Sequence, residues 1–468
     1  MRLMNRRIGL AAITGMAFAL MPPPAAAQPV AQPVAQPAAN ADERALADAY
    51  NASGLALFRQ LAGGSGNIVL SPLSVGTAMA MALSGARGET EREMAGALKQ
   101  RLDRPAMEAA NAALRTALGR YDKSAVAPRC PQGMQVTMQV GGARCEGAVG
   151  ADGQCRFPAE RAGERCVASG FFPPSARLLS ANALMITGSG ELIAADYAAA
   201  LRDKYDAEIF RNAGLDDVNG WVKQKTDGKI ERILEQLDRS AAAVIVNAVY
   251  FKANWASVFN KAATKDDAFN LSRQSKIPVP MMHQRASYAQ VGRPDYRAIR
   301  LPYTVNDISM VVVLPNENDG LGAVVRRFDD GEWTQLAAAL HGPDAVKAVD
   351  LALPRFKASF GTGLVPQFRK AGMSRAFDLK LADFSGMTGR PAAQQPFAIA
   401  SIVHRAVVEV MEDGTEAAAA TAIAVVRATA TRPAEQPQLF HVDHPFLFAI
   451  VDDASGAILF EGRIADPR

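Results

Sequence analysis

Cysteine, histidine and enzyme signatures are scarce in this sequence. All four cysteines of its 468 residues lie between positions 130 and 166, and there are only five histidines. The chain contains no H-E-x-x-H, no G-x-S-x-G and no phosphate-binding loop motif. We therefore expect a protein that is not an enzyme, with no catalytic residues, no metal site and no cofactor.

Net charge and long apolar runs are also lacking. A formal net charge of +4 is small for this length, so we expect no nucleic-acid partner. The N-terminal apolar run, Ile8 to Leu20, follows arginines at positions 2, 6 and 7 and is too short to span a bilayer. With Ala25 to Ala27 behind it, the run predicts a signal peptide at 1–27 and no membrane span. We expect a secreted or periplasmic protein, exported by the Sec or the twin-arginine route.

Two further segments depart from ordinary globular composition. Residues 28–40 repeat glutamine, proline and alanine, which favours an extended linker. Residues from about 122 to 176 are rich in glycine and proline and are typical of an inserted loop. This insertion holds all the cysteines of the chain, namely Cys130, Cys145, Cys155 and Cys166. Because C-x-x-C pairs are absent and an exported chain meets oxidising conditions, two disulfides are favoured over a zinc site, and all three pairings stay open.

The rest of the chain, 41–468, mixes strand and helix patterns. Val244 to Phe251 is almost wholly apolar, which indicates a strand buried on both faces. Helical patterns at 194–204 and 218–225 precede it, and several further strands follow it. This order predicts an α+β fold built on large sheets.

Local propensity and context disagree between Glu412 and Thr421. Read alone, Thr415 as an N-cap, followed by Glu416 and four alanines, predicts a helix. The neighbouring runs at 406–411 and 446–451 are strongly β-like, and the segment leads into β-branched residues. Small residues in such a context indicate a loop that can later become a strand. We expect Thr415 to Ala420 to be exposed and irregular in the intact chain.

Several segments together resemble the serpin family, across 41–468 apart from the insertion. Each segment alone is weak, but their order and spacing are specific. The matching segments are Asn67–Ser74, Thr226–Ile230, Val246–Lys252 with Trp255 and Phe259, Val279–Met282, Leu353–Phe356, Ala382–Met387, Glu412–Thr421, and His444–Phe448 with Gly462 and Arg463. With the signal-like N-terminus and the insertion, the chain resembles a secreted, bacterial-type member that carries a cysteine-containing insertion.

The resemblance implies three β-sheets surrounded by about eight or nine helices, with an exposed reactive loop at about 412–440. In inhibitory members a serine protease cleaves this loop and forms an acyl-enzyme, and the loop then enters the main sheet as a new strand. The resemblance therefore implies a monomeric serine protease inhibitor that acts as a suicide substrate and binds its target protease covalently. A non-inhibitory member acting as a binding or chaperone-like protein is the alternative.

The residues of the hinge permit such an insertion. The first proline after Gly414 is Pro433, so no residue before it lacks an amide for a central strand. Strand alternation puts the threonines at 415 and 421 on an apolar inner face and Glu416 on the outer face. The hinge comprises Glu412, Gly414, Thr415, Glu416, Ala417, Ala418, Ala419, Ala420 and Thr421.

The family spacing from the hinge glycine places the reactive bond between Ala428 and Thr429. A small residue before the bond suits elastase-like or subtilisin-like proteases, which have shallow pockets. Cleavage one residue earlier, after Arg427, would imply a trypsin-like target, and this alternative stays open.

Five residues match family positions where the main sheet must open, namely Ser71, Ser74, Asn247, His404 and Trp255. The polar ones lie on otherwise apolar elements and need hydrogen-bond partners, and a network that can re-pair lowers the barrier to separating strands. Trp255 matches the end of the sheet where insertion begins. A core cluster of purely structural value is the alternative interpretation.

Overall fold

The fold is built on two large β-sheets with helices packed against them. It is seen in a computed structural model that describes residues 40–122, 136–140, 143–149, 155–156, 176–186, 193–236, 243–305, 307–415 and 436–468. Several predicted features lie outside these ranges and stay predictions: the signal peptide at 1–27, Cys130, Cys166, the hinge residues 416–421, and Arg427, Ala428 and Thr429.

Ten α-helices occur within the described ranges, where the resemblance implies about eight or nine. The shortest have one or two turns, which leaves little periodicity to predict. The helices are α1 (Ala41–Leu61), α2 (Pro72–Gly85), α3 (Gly88–Ala97), α4 (Arg104–Gly119), α5 (Ala195–Tyr205), α6 (Leu215–Lys225), α7 (Leu321–Arg327), α8 (Asp330–Leu340), α9 (Val365–Lys370) and α10 (Ser385–Thr388). No helix of these ranges is long and apolar enough to cross a membrane.

Helix α2 lies at the centre of the fold. Ser71 caps it by accepting a hydrogen bond from the Ser74 amide at 3.1 Å, and Pro72 occupies its first turn. Thirteen of its 14 residues are buried. A Cβ on Gly76 would lie 2.3 Å from a ring carbon of Tyr50, so α1 and α2 can approach closely only because this residue is glycine.

Eighteen strands occur within the described ranges. They are β1 (Ile68–Leu70), β2 (Val136–Val140), β3 (Ala143–Val149), β4 (Cys155–Arg156), β5 (Ala176–Ile186), β6 (Ala207–Arg211), β7 (Ala243–Asn254), β8 (Lys265–Ser272), β9 (Ser275–Gly292), β10 (Tyr296–Pro302), β11 (Ile308–Pro315), β12 (Val346–Pro354), β13 (Phe356–Gly363), β14 (Ile399–Met411), β15 (Gly414–Thr415), β16 (Gln438–His441), β17 (Phe446–Asp452) and β18 (Ala457–Ile464).

The main sheet has six strands in the order β13-β14-β15-β7-β5-β6. Its central strand β7 is buried over nearly its whole length, which confirms the double-sided burial that the apolar run from Val244 predicts. The aliphatic side chains of β7 alternate between two core clusters, one on each face of the sheet. The main sheet is therefore enclosed on both sides.

The second sheet has nine strands in the order β1-β18-β17-β11-β10-β9-β12-β16, and β8 also pairs with β9. The 18-residue strand β9 pairs with β10 near its C-terminal end and with β8 and β12 further back, so two groups of strands form one continuous sheet. The edge strand β16 runs parallel to β12. Strand β16 contains the last residues of the segment predicted as the reactive loop, 412–440, and pairs them with β12.

Part of the cysteine-containing insertion is a small sheet, so the description of the whole segment as a loop is wrong. Strands β2, β3 and β4 pair in that order, in antiparallel fashion. Main-chain hydrogen bonds can hold such a sheet even where large apolar side chains are few. Cys145 lies on β3 and Cys155 on β4, and the disulfides stay a prediction.

Candidate functional site

The two central strands of the main sheet are parted at one end by a two-residue strand. Residue Thr415 of β15 pairs with Val410 of β14 on one side and with Ala253 of β7 on the other. Beyond this point β7 and β14 pair directly and in parallel, over eight residue pairs. The sheet is thus open at one end and closed along the rest. We call the parted end, at β15, the insertion point.

Gly414 and Thr415 fit the insertion point closely. Gly414 has φ +154°, and a Cβ on it would lie 2.2 Å from the Ala253 carbonyl oxygen, so any other residue would be strained and obstructed. Thr415 is fully buried, and its hydroxyl lies 2.7 Å from that of Tyr303. The expectation that Thr415 is exposed and irregular is therefore wrong, because this residue already pairs with a strand on each side in the intact chain.

Trp255 covers the insertion point. Its indole stacks on the Tyr303 ring with centroids 4.5 Å apart, and its Nε1 donates to the Met411 carbonyl at 2.9 Å. Its amide donates to the Asp413 carbonyl at 3.0 Å. Trp255 therefore binds the turn between β14 and β15 to the end of β7 and keeps the start of the hinge in place.

Glu412 forms a buried ion pair beside the insertion point. Its side chain is 1% exposed, and its Oε1 accepts hydrogen bonds from the Arg355 Nε at 2.7 Å and from the Thr264 hydroxyl at 2.5 Å. Burial acts to raise the pKa of Glu412, but these hydrogen bonds outweigh it and hold the pKa below the usual value. The adjacent Asp413 pairs with Lys261 at 2.7 Å. The turn before β15 is thus fixed by charge as well as by packing.

A polar network crosses the core between α2 and the main sheet. The Asn247 Nδ2 on β7 donates to the Ser74 hydroxyl at 2.6 Å and to the Asn182 Oδ1 on β5 at 2.5 Å. The Ser71 hydroxyl donates to the Leu459 carbonyl at 2.5 Å. All of these side chains are buried, so each hydrogen bond compensates for polar atoms removed from water.

His404 of β14 completes this network as a neutral imidazole. Its Nε2 accepts from the Ser71 amide at 3.3 Å, which leaves the proton on Nδ1, and Nδ1 donates to the Asn247 Oδ1 at 2.6 Å. Burial lowers the pKa of His404 to about 3. The polar network therefore consists of Ser71, Ser74, Asn182, Asn247 and His404.

The network lies where the main sheet would have to part. His404 on β14 and Asn247 on β7 are direct partners in the parallel ladder, so the bond between their side chains spans the seam between these strands. Any strand entering at the insertion point would break that bond. If the two strands moved apart, the polar groups of the network would have to find new hydrogen-bond partners.

Sequence reasoning missed several residues of these two clusters. Asn182 interrupts an apolar strand and could have been found by the criterion that selected Asn247. Arg355 lies in a segment used for the resemblance but was given no role. Thr264 and Tyr303 carry no pattern in the sequence, because only the fold brings them to the hinge. In the described ranges, no group of three or more His, Cys, Asp or Glu residues is arranged to hold a metal ion.

Comparison with known proteins identifies the class to which this fold belongs. The chain matches the family model for serpins, described as serine protease inhibitors, over residues 48–140 and 165–467. The chain therefore belongs to the serpin family. The unmatched stretch between these two ranges falls inside the cysteine-containing insertion.

Relatives and solved structures agree with this assignment. An uncharacterised serpin-like protein of Thermococcus kodakarensis is 29% identical over 91% of this chain and 87% of its own length. The leukocyte elastase inhibitor of Homo sapiens is 35% identical over 58% of this chain and 73% of its own length. The crystal structure of the thermophilic serpin tengpin in the native state superposes with a TM-score of 0.70 at 22% identity, covering 91% of this chain and 95% of that one. The expected α+β serpin fold is thus confirmed.

Proposed function

We propose that this serpin is a serine protease inhibitor that acts as a suicide substrate. The observation that carries the proposal is the insertion point, where the first two residues of a strand already lie between β7 and β14. The segment that follows, Glu416 to Val426, is rich in small residues and contains no proline. A cleaved loop could therefore continue as a central strand from a start that is already formed.

The register of β15 determines where each inserted residue would lie. Continued one residue at a time from Thr415, it places Ala417 between Val408 and Phe251, on the buried inner face. The same continuation brings Thr421 between His404 and Asn247, the two partners whose mutual hydrogen bond the new strand would break. The Thr421 hydroxyl can both donate and accept, so it can re-satisfy both side chains.

Insertion would replace one parallel pairing by two antiparallel ones. The eight residue pairs between β7 and β14 would be lost, and the entering strand would pair antiparallel with both strands. Antiparallel pairing is slightly more stable per residue, and a whole additional ladder is gained. The intact chain therefore has a stabilising rearrangement available that its uncut loop prevents.

The length of the closed seam agrees with the assigned reactive bond. In the continued register Val425 reaches Ala243, the last residue of the β7 ladder, so Ala428 would lie just beyond the end of the seam. The protease serine would attack the Ala428 carbonyl carbon, break its bond to the Thr429 nitrogen, and form an ester as the Thr429 amine takes up a proton. Insertion would then carry the attached protease to the opposite end of the main sheet.

The target class follows from the residue before the bond. Ala428 suits an elastase-like or subtilisin-like protease, and cleavage after Arg427 would instead select a trypsin-like protease. The human relative named as an elastase inhibitor is consistent with the first choice. We also infer a monomer that is secreted or periplasmic, with two disulfides in the insertion, on the basis of the sequence patterns alone.

Incubation with elastase, subtilisin and trypsin tests the proposal. We expect a covalent complex that resists SDS with at least one of them, and a released C-terminal peptide that begins at Thr429. A peptide that begins at Ala428 would move the bond to Arg427. If all three proteases cut the loop and none forms a complex, the non-inhibitory alternative, a binding or chaperone-like serpin, takes its place.

Thr415→Arg provides the matched control. A guanidinium cannot occupy the fully buried Thr415 site without leaving a charge unpaired, so the loop should be cleaved without being inserted. This variant should behave as a substrate at the same bond. Thr415→Ser keeps the hydroxyl that contacts Tyr303 and should retain inhibition.

A further inference from the structure

Two histidines flank a small residue on the second sheet. His283 of β9 and His441 of β16 are both register partners of Ala352 on the strand between them, β12. Directly opposed residues point to the same face of a sheet, so the two imidazoles stand on one face with only a methyl group between them. Their ring centroids are 6.3 Å apart, with the planes nearly perpendicular. We call these two residues the histidine pair.

The ring nitrogens of the histidine pair are not fully used. His341, His404 and His444 each engage both ring nitrogens with neighbouring groups. In contrast, the Nε2 of His441 is buried and has no hydrogen-bond partner among the described residues. A buried polar atom without a partner carries a free-energy cost, which a ligand at that atom would remove.

The cleft around the histidine pair has room for an ion, and the charged side chains that line it nearly cancel. The histidine pair lines an open cleft of about 390 Å³ together with Gln284, Arg285 and Asp350. The Asp350 carboxylate accepts hydrogen bonds from Arg285 at 2.7 and 2.8 Å, so this pair is close to neutral. The Arg285 side chain is 74% exposed and can turn away from the cleft. A cation that enters the cleft would therefore not meet an unpaired positive charge.

We propose that the histidine pair binds one divalent transition-metal ion such as Zn²⁺, with water in the remaining coordination positions. Imidazole is a preferred ligand of zinc, copper and nickel. Two ring nitrogens at about 2.1 Å from a shared ion lie roughly 3 to 4 Å apart, which small rotations of rings already 6.3 Å apart between centroids can reach. The two side chains fall short of the three or more ligands of a dedicated structural or catalytic site, so the ion binds reversibly.

Metal binding would hold strand β16, at the C-terminal end of the reactive loop, in the second sheet. β16 is an edge strand held to the sheet by four residue pairs with β12, and a shared ion would tie it to β9 as well. Suppose that the uncut loop entered the main sheet as far as Val426. The eleven residues 427–437 would then have to run back along the whole inserted stretch to reach β16. Eleven residues reach at most about 36 to 40 Å when fully extended, and the inserted stretch itself spans about 36 Å. The return segment would therefore be almost fully extended, with little length left to cross to the second sheet, and it would pull on β16.

The ion would thus oppose premature insertion of an uncut loop. Binding of the ion is independent of protease inhibition, and only this consequence depends on the proposed function. After cleavage between Ala428 and Thr429 the two ends are separate, and β16 can stay in the sheet while the loop inserts. The site would therefore slow loss of the intact form without hindering the cleaved one.

Calorimetric titration with ZnCl₂ tests the site, using protein without a histidine tag that has been stripped with a chelator. We expect one Zn²⁺ per chain, with affinity more than about tenfold weaker in His283→Gln and in His441→Gln. His341→Gln removes a histidine elsewhere in the molecule and should bind as the unchanged protein does. Equal binding by all four proteins, or no binding at millimolar zinc, would overturn the proposal.

Hydrogen exchange at β16 gives a second readout. Zinc should slow exchange of the amides of residues 438–441 in the unchanged protein and in His341→Gln, and leave them unaltered in the two variants of the histidine pair. Zinc-dependent protection with no protease complex would refute only the proposed inhibition. Inhibition with no zinc-dependent protection would refute only the metal site.

Discussion

At the scale of single residues, His404 is fitted to one protonation state. Its Nε2 must accept from the Ser71 amide while its Nδ1 donates to Asn247, and an imidazolium has no acceptor to offer. Protonation would therefore leave the Ser71 amide unpaired and place a charge in a buried site. The residue that spans the seam of the main sheet should make the stability of the protein sensitive to acid.

The pH dependence follows from the direction of the His404 shift. Its folded pKa of about 3 lies below the value of about 6.5 for an exposed histidine, so between these values only the unfolded chain binds the proton. The contribution of neutral His404 to the free energy of unfolding is then fully present above pH 6.5. As the pH is lowered this contribution decreases, by about 2 kcal/mol at pH 5. Urea denaturation of the intact protein at pH 7.5 and pH 5 measures this loss.

His404→Gln is the matched variant, since its amide can still accept from Ser71 and donate to Asn247. Between pH 7.5 and pH 5, the free energy of unfolding of this variant should fall by about 2 kcal/mol less than that of the unchanged protein. The same loss in both proteins would mean that other groups cause the acid sensitivity.

Thr421 should contribute to stability only after insertion. Thr421→Val keeps the shape of the side chain and removes the hydroxyl that would lie between His404 and Asn247. We therefore expect the free energy of unfolding of the cleaved form to fall by about 1 kcal/mol or more. The intact form should be unchanged, and Thr421→Ser should be close to the unchanged protein. The measurement is urea unfolding of both forms; an equal loss in the intact form would contradict the inferred register.

How far the site can be predicted depends on whether a residue contrasts with its neighbours. Asn247 and His404 stand out as polar residues in apolar strands, and the structure places them in contact. Tyr303 and Thr264 lie in ordinary surroundings and reach the hinge only through folding. Burial and pairing of Thr415 likewise come from neighbours distant in sequence, which local propensity cannot register.

At the scale of elements, the turn from β14 into β15 acts as a fixed point. Glu412, with its ion pair to Arg355, and Trp255 hold the turn, while Gly414 lets the chain pass close to the end of β7. If the loop acts as the proposed bait for a protease, its start must neither slip out nor advance. The ion pair supplies this restraint at the side where the sheet is already parted.

Loss of the Arg355 guanidinium should release this restraint. Arg355→Ala leaves the buried Glu412 carboxylate with Thr264 as its remaining side-chain donor, and since Arg355 is 40% exposed we expect a loss of about 1 to 2 kcal/mol in unfolding free energy. Inhibitory activity should also decline faster during storage. Arg355→Lys keeps the charge and should show a smaller effect; unchanged stability in Arg355→Ala would assign the restraint to packing alone.

The elements that resist prediction do so for definable reasons. The apolar strand β7 is recognisable because burial on both faces leaves a continuous apolar run. Strand β9 contains Pro278 and Pro280, and proline argues against the interior of a strand. Both prolines lie in the part of β9 that pairs with β8 and precedes its pairing with β12. The strands of the insertion are short, and the segment around them is rich in glycine and proline, so composition indicates a loop there even though the five residues of β2 alternate.

At the scale of the whole molecule, the proposed function implies that the intact fold has a more stable arrangement available to it. The parallel seam between β7 and β14 lies between two core clusters, and β15 parts these strands at one end only. Filling the seam would add about ten backbone hydrogen bonds, each worth about 1 kcal/mol net, and so of order 10 kcal/mol in total. Under the proposed function, the loop connection to β16 keeps the intact chain from this state.

Cleavage within the loop should therefore stabilise the protein. For a chain of this size about 1 kcal/mol corresponds to roughly 1 to 2 °C, so the midpoint of thermal unfolding should rise by about 10 to 20 °C after the loop is cut. Differential scanning calorimetry before and after limited cleavage measures the rise. Thr415→Arg, cut at the same bond, should show no rise, because its buried site cannot accept the charge and the strand cannot advance past it. A rise of equal size in this variant would mean that cleavage relieves strain elsewhere, and a constant midpoint in the unchanged protein would mean that its loop does not insert.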